Sequence, residues 1–338
     1  MKHNFLVFVS LILMVGCKKP TILVKENHSN LHTYFEQKYS SKLKLEGLKN
    51  LIEVEDAKHF FVIGDWGRQG YFNQAALGAT MNQISMVIEP EFIISTGDNF
   101  YDSGVASVND PLWKYSFEEI YKGNFLQVPW YVTLGNHDYR GNIQAQIDYS
   151  DISRRWTLPA PYWYKTESID DTDVSIEFTF IDTTPFQDDY YKKAKYKDVV
   201  SKTDTIAQKK WINERLGKIS DFNWNIVVGH HPMYTGGKRV NDASYTRKHL
   251  ESLFDENNVD VYFCGHEHDL QHIKPENHNT HHLISGAGSE VRPTKMTTDS
   301  LAAVSETGIM VISVTHYELL IQFVNYKGEV KYKTTLTK

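Results

Sequence analysis

EFIISTGDNFYDSG, residues 91–104, runs from an apolar stretch into a glycine and an aspartate and then, three residues on, a tyrosine. Phe92, Ile93 and Ile94 read as a buried strand, so Gly97 and Asp98 fall where that strand ends and a loop begins. Alone, the stretch is ordinary, because aromatics such as Phe100 and Tyr101 commonly cap a core near strand ends. Repetition gives it weight. The same order, an apolar run and then Gly followed by a polar residue, recurs in HFFVIGDWG (59–67), VPWYVTLGNHDY (128–139), WNIVVGHHP (224–232) and VDVYFCGHEHD (259–269). HHLISGAGS (281–289) adds a further apolar run ending in glycine.

Continuous apolar runs of this length mark strands covered on both faces. Helical patterns lie between several of them, in NQAALGATMNQISMVI (73–88), DPLWKYSFEEIYKGN (110–124) and TIAQKKWINERLGKI (205–219). Strand and helix in alternation predict an α/β architecture with largely parallel sheets, whose carboxyl-terminal strand ends gather function. The last 31 residues, GIMVISVTHYELLIQFVNYKGEVKYKTTLTK, alternate instead and predict antiparallel strands turning at Lys327-Gly328. Without a repeat or low-complexity tract, residues 58–338 read as one domain.

The 338 residues, 41% hydrophobic and 23% charged, suffice for a large core, and a net charge of −6 gives no electrostatic case for a nucleic-acid partner. Residues 1–17 read as a lipoprotein signal peptide. Lys2 and His3 precede an apolar run too short to span a bilayer, which ends in Met14-Val15-Gly16-Cys17. The expectation is a mature chain lipidated at Cys17, exported to the cell envelope and touching membrane only through that anchor. Residues 18–57 read as a tether with a short helix or edge strand. Cys264 is the one remaining cysteine, so with Cys17 acylated the fold stands without an internal disulfide.

The strand ends collect Asp65, Asp98, Asn136, His137, His230, His266 and His268. Carboxylate, amide oxygen and imidazole together suit hard or borderline metal ions. Two such ions close together need a shared oxygen, and Asp98 is the natural bridge. In GHEH the alternating His266 and His268 point the same way on extended backbone, so a small distortion can aim one at each ion.

GDWG, GDNFY, GNHD, GHH and GHEH, in this order, resemble the motifs of the metallophosphoesterase superfamily. Tyr101 narrows the resemblance to the purple acid phosphatases. Residues 97–121, 134–163 and 264–273 are similar to the small, mammalian-type tartrate-resistant class, and the similarity runs over about residues 58–335. It implies a calcineurin-like fold, a four-layer α-β-β-α sandwich of two mixed sheets. It also implies that Asp65, Tyr101 and His268 hold Fe(III), that Asn136, His230 and His266 hold divalent iron, zinc or manganese, and that Asp98 bridges the two. A phenol ionises near pH 10 unless it lies beside a strong Lewis acid, which explains a tyrosine in this place.

The implied reaction is hydrolysis of small phosphate monoesters by a metal-activated water, in a monomeric enzyme. His137 is placed to bond a phosphoryl oxygen beside Asn136, with Asp138 orienting its ring. The chain departs from the family pattern where a histidine helps protonate the leaving group, since Lys238 and Arg239 stand there and bind phosphate by charge instead. His231 reads as structural. Residues 183–206 read as a charged surface loop near the entrance. His272, His278, His281 and His282 read as solvated, and Trp66, Phe100 and Trp156 as packing. Other readings are a phosphodiesterase or nucleotide pyrophosphatase on the same site, a non-catalytic phosphate- or metal-binding lipoprotein, and a cytoplasmic protein phosphatase. Assays separate the first; filled ligand positions oppose the second; Tyr101 and the export signal oppose the third.

Overall fold

The computed structural model describes residue 48 and residues 50–338. The signal peptide, Cys17 and most of the tether lie outside them. In chain order the first strands are β1 (Lys58–Ile63), β2 (Phe92–Ser95), β3 (Trp130–Val132), β4 (Trp156–Thr157), β5 (Trp163–Ser168), β6 (Ser175–Phe180) and β7 (Trp224–Val228). Then come β8 (Val261–Cys264), β9 (Leu270–Ile273), β10 (His281–Ser285), β11 (Ser300–Val304), β12 (Gly308–Val314), β13 (Glu318–Asn325) and β14 (Val330–Thr337). The α-helices are α1 (Gln74–Ile88), α2 (Ile143–Asp148), α3 (Lys197–Val200), α4 (Thr205–Leu216) and α5 (Val240–Glu256).

The strands form two seven-stranded sheets, ordered β14-β13-β12-β1-β2-β3-β4 and β11-β9-β10-β8-β7-β6-β5. Six of the twelve strand pairs are parallel, joining β1 to β4 in the first sheet and β6, β7, β8 and β10 in the second. The other six are antiparallel and lie outside these blocks. The sheets are therefore mixed, not largely parallel as the strand–helix alternation alone suggests. Hairpin-linked strands extend each parallel block, as the alternating C-terminal segment foretells. β12, β13 and β14 pair antiparallel as expected, with Gly328 at φ 81° in the last turn.

Aromatic side chains fill the space between the sheets. Phe60 of β1 meets Phe178 of β6 at 5.5 Å and Phe263 of β8 at 6.2 Å, both edge to face. Helix α1 buries Leu77, Met81, Ile84 and Ile88 in the same core. α4 and α5 contribute Ile212, Leu216, Leu250 and Phe254 to a second cluster with Val227 of β7 and Tyr262 of β8. The result is a two-sheet, helix-flanked α/β fold, as the resemblance implies.

Local expectations fare unevenly. Residues 110–124 form, in place of an α-helix, a short wide turn at Trp113–Glu118, in which Glu119 N–H reaches the Lys114 carbonyl. Residues 50–57 hold neither helix nor strand, yet Ile52 exchanges two 2.8 Å hydrogen bonds with the Gln322 side chain, docking the segment on β13. Residues 183–206 are not a loop of exposed charge. Lys192, Lys193 and Lys195 do face solvent, but Tyr190, Tyr196 and Val200 are buried, and the two tyrosine rings stack at 4.2 Å. Burying two phenol rings outweighs what the charged composition suggests.

The C-terminal histidines also differ from expectation. His272 and His282 are buried in β9 and β10, and His272 Nε2 lies 2.8 Å from His281 Nδ1. Burial, helped by neighbouring positive groups, lowers the pKa values of His272, His281 and His282 to about 3, 4 and 3. Between these values and about 6.5 the unfolded chain binds more protons, so stability rises with pH across that window and falls on acidification. His282 contributes a loss on the order of 2 kcal/mol between pH 7 and 4.5. His282→Phe should shrink the wild-type stability difference between these two pH values by that amount, measured by urea unfolding. An equal difference in both proteins would show that His282 does not titrate as a buried neutral ring.

Candidate metal centre

The site lies where the parallel strands of both sheets end. β1 delivers Asp65, β2 delivers Asp98 and Tyr101, β3 delivers Asn136, β7 delivers His230, and β8 delivers His266 and His268. The first ligand after each strand lies two to four residues past its end. Three of these ligand positions are left-handed without being glycine: Asp65 at φ 57°, Asp98 at 50° and His266 at 67°. Such backbone costs about 1–3 kcal/mol per residue and persists where the surroundings fix it. Gly135 is required by proximity, because a Cβ there would sit 2.3 Å from Asp98 Oδ1.

Below the loops, a cluster of aromatic rings sets their height. Trp66 packs against Phe100 at 5.4 Å, Tyr121 at 5.6 Å and Trp130 at 5.6 Å, and its indole N–H donates to Ser95 Oγ. Trp66, Phe100 and Trp156 are all buried, in the packing role expected of them.

The seven ligand residues converge in two groups that share one carboxylate. The Tyr101 hydroxyl lies 2.8 Å from Asp65 Oδ1, 3.0 Å from Asp98 Oδ2 and 3.2 Å from His268 Nε2. His268 Nε2 is 3.3 Å from Asp65 Oδ1. On the other side, Asp98 Oδ1 is 3.4 Å from His230 Nε2, which is 3.3 Å from Asn136 Oδ1. That amide oxygen lies 2.9 Å from His266 Nδ1. Donors bound about 2.1 Å from one ion sit about 3.0–3.4 Å apart, so both groups have the spacing of a coordination shell.

Hydrogen-bond accounting supports the same conclusion. One phenol proton cannot serve both carboxylate oxygens beside Tyr101. Asn136 would make more hydrogen bonds with its amide reversed. A cation between the two ring nitrogens would hold the oxygen turned toward them. Burial, and then the charges of Asp65 and Asp98, push the Tyr101 phenol well above its usual pKa, with Arg68 offsetting a part. A cation in their midst reverses that balance. Burial would likewise raise Asp98, but His230, His137 and His266 outweigh it and hold the carboxyl below its ordinary range. The residues present fit two metal ions.

Backbone and carboxylate partners select which ring nitrogens are free. His230 Nδ1 lies 2.9 Å from the Thr96 carbonyl, an acceptor only, which leaves Nε2 for a metal. His266 Nε2 lies 2.8 Å from Asp242 Oδ2, which leaves Nδ1. Burial, His230 and Arg239 keep the His266 ring neutral by lowering its pKa well below normal. His231 lies between Thr183 Oγ1 at 2.8 Å and the Tyr190 hydroxyl at 3.3 Å, a buried bracing role consistent with its structural reading.

His137 stands at the mouth, its side chain 16% exposed. Its Nδ1 is 2.7 Å from the Asp102 carbonyl oxygen, which fixes the proton there, and its Nε2 is 3.9 Å from Asp98 Oδ2. Asp138 does not orient this ring. Its carboxylate accepts from the N–H groups of Gly135, Asn99 and Phe100 and from the Asn99 and Gln146 side chains, tying two ligand loops together. Burial and the nearby Asp98 raise its pKa to about 7. Lys238 is exposed. Arg239 lies nearer the site, its Nη1 4.0 Å from Asp242 and its N–H bonded to Glu267.

Three participants escape a reading by motif. Asp242 sits in α5, Arg140 follows GNHD, and Tyr196 comes from the segment read as surface loop. The Tyr196 hydroxyl is 2.8 Å from Asn136 Nδ2 and 2.9 Å from Arg140 Nε. Among these, Arg140 alone lies near enough to a motif to have been suspected.

Comparison with known proteins accords with this geometry. Residues 58–270 match the family described as calcineurin-like phosphoesterase. Purple acid phosphatase 17 of Arabidopsis thaliana is 36% identical over 292 residues, covering 82% of this chain and 84% of its own. The chain is a purple acid phosphatase family member. Human tartrate-resistant acid phosphatase type 5 is 30% identical over 306 residues, covering 83% of this chain and 91% of its own. Among solved structures, GAP50, the anchor in the inner membrane complex of Plasmodium, superposes with a TM-score of 0.72 at 27% identity, over 83% of this chain and 89% of its own. The yellow lupin purple acid phosphatase PPD1 shares the fold at a TM-score of 0.59 and 16% identity, over 83% and 54%. Membership in this family makes the chain a metal-dependent phosphoesterase, a hydrolase.

Asp242→Asn should lower affinity at one of two metal sites by about 10- to 100-fold while leaving the other intact. Calorimetric titration of metal-stripped protein checks this, and equal loss at both sites would contradict the division of ligands.

Proposed function

We propose that the protein is an exported, lipid-anchored acid phosphatase that hydrolyses small phosphate monoesters with an Fe(III) ion and a divalent partner. The observation that carries this reading is the Tyr101 hydroxyl held among Asp65, Asp98 and His268. A phenolate and two carboxylates beside one imidazole make an anionic, mainly hard-oxygen set that suits a trivalent ion. The softer set of Asn136, His230 and His266 suits divalent iron, zinc or manganese. When bound, the ions supply Lewis-acid activation of water and neutralise charge on the phosphoryl oxygens.

The protein's own groups define how an ester meets that centre. The Asp102 carbonyl holds His137 Nδ1, so Nε2 faces a phosphoryl oxygen and donates to it when the ring is protonated. Arg140 lies behind it, 2.9 Å from the same Nδ1 and 3.2 Å from the same carbonyl, adding positive charge. Arg239 brings a second guanidinium to the rim, where Lys238 offers further charge. Lys238 and Arg239 donate to oxygens without easily giving up a proton, which favours esters with good leaving groups. Residues 1–17 support export and lipidation at Cys17, and Cys17→Ser should release the protein from the membrane fraction.

Aerobically purified protein should contain iron and absorb in the visible. Tyr101→Phe should lose that band, and a colourless, iron-free wild type with full activity would overturn the ferric assignment. His137→Asn should lower kcat/KM for an aryl phosphate monoester by about 10²-fold with both metals retained. A diester hydrolysed faster than the matching monoester would favour phosphodiesterase chemistry instead.

A further inference from the structure

Arg68 follows GDWG directly, and its guanidinium carbon lies 3.8 Å from the centre of the Tyr101 ring. Arg68 Nη2 donates to Glu290 Oε2 at 2.9 Å, and that oxygen is 3.9 Å from His268 Nδ1. His268 Nδ1 is buried and has no hydrogen-bond partner among the described residues. Arg68 Nη1 also lies 3.5 Å from the exposed Asp102 Oδ1, but the closer Arg68–Glu290 pair is the one that flanks both ring ligands, with Arg68 against the phenol and Glu290 beside the imidazole.

The arrangement is held by construction. The Arg68 side chain is 13% exposed. Gln74 Oε1 accepts from the Arg68 and Gly70 N–H groups at 3.0 and 2.7 Å, closing the loop that carries it. Tyr101 N–H donates to the Gly67 carbonyl at 3.0 Å, which fixes the tyrosine beside this loop.

We propose that the Arg68–Glu290 pair tunes the bond between Tyr101 and its metal, acting as a positioning pair that touches neither substrate nor reacting atoms. The inference rests on Tyr101 being a ferric ligand. A cation over an aromatic face stabilises the electrons of that ring. Arg68 lies directly on the ring face, so its charge lowers the energy of the phenolate donor electrons. The energy of charge transfer from phenolate to iron rises accordingly. Glu290 offsets a part of the field and pairs with the His268 ring, so removing either partner moves the electronics in opposite senses.

The test uses the metal-loaded, full-length protein and reads visible spectra and the iron midpoint potential of wild type, Arg68→Met, Arg68→Lys and Glu290→Gln. Arg68→Met should move the band to longer wavelength and lower the potential. Glu290→Gln should move the band to shorter wavelength and raise the potential, and Arg68→Lys should stay near wild type. Should Arg68→Met fail to load iron, Glu290→Gln decides alone. Unmoved bands, or shifts of the same sign in Arg68→Met and Glu290→Gln, overturn the proposal while leaving a coloured, active wild type as it is. A wild type without iron or colour removes the ferric assignment and this inference together.

Discussion

Asp98 turns its two carboxylate oxygens toward different neighbours, Oδ2 to Tyr101 and Oδ1 to His230. Everything near the site is arranged around that division. Its backbone is left-handed, Gly97 before it stands at φ 90°, and the absence of a side chain on Gly135 leaves room for Oδ1. The His137 N–H donates to the same oxygen at 2.7 Å, so the loop after β3 is registered on the loop after β2. One side chain therefore joins the first sheet's loops to the ligands arriving from the second.

That junction explains why the fold needs two sheets. A single parallel block could present Asp65, Asp98, Tyr101 and Asn136, which all follow β1, β2 and β3. The imidazoles come from β7 and β8 in the opposite sheet, and the hydrogen bond from His266 N–H to Asp65 Oδ2 at 2.9 Å stitches the two sets together. Burying so many polar groups without cations is unfavourable: two carboxylate oxygens face the one phenol proton of Tyr101. Aromatic packing under Trp66 supplies the rigidity that holds these groups together. Metal binding and folding are accordingly linked, since ions that bind the assembled site stabilise the state in which it exists.

Much of this was legible from sequence because strand-end ligands carry a local signal: an apolar run, a glycine, and a polar residue. Asp65, Asp98, His230 and His266 announce themselves in that way. Asp242 does not, because it projects from a helix and meets His266 across 24 residues with no motif around it. Tyr196 is hidden for another reason. Lysines crowd its segment, and only the fold shows that the tyrosines turn inward. Asp138 was misassigned because adjacency in GNHD suggests that it serves His137, whereas its carboxylate turns inward to backbone N–H groups. The buried histidines of β9 and β10 were missed because imidazole has no fixed preference for surface or core. Composition cannot tell a neutral buried ring from a solvated one.

Anomalous diffraction from metal-loaded crystals, collected at the iron edge and at the edge of the second metal, tests the shared carboxylate most directly. Two peaks about 3.5–4 Å apart are expected, with Asp98 between them and iron on the Tyr101 side. One ion alone, two ions that Asp98 does not join, or iron seated between His230 and His266 would contradict it.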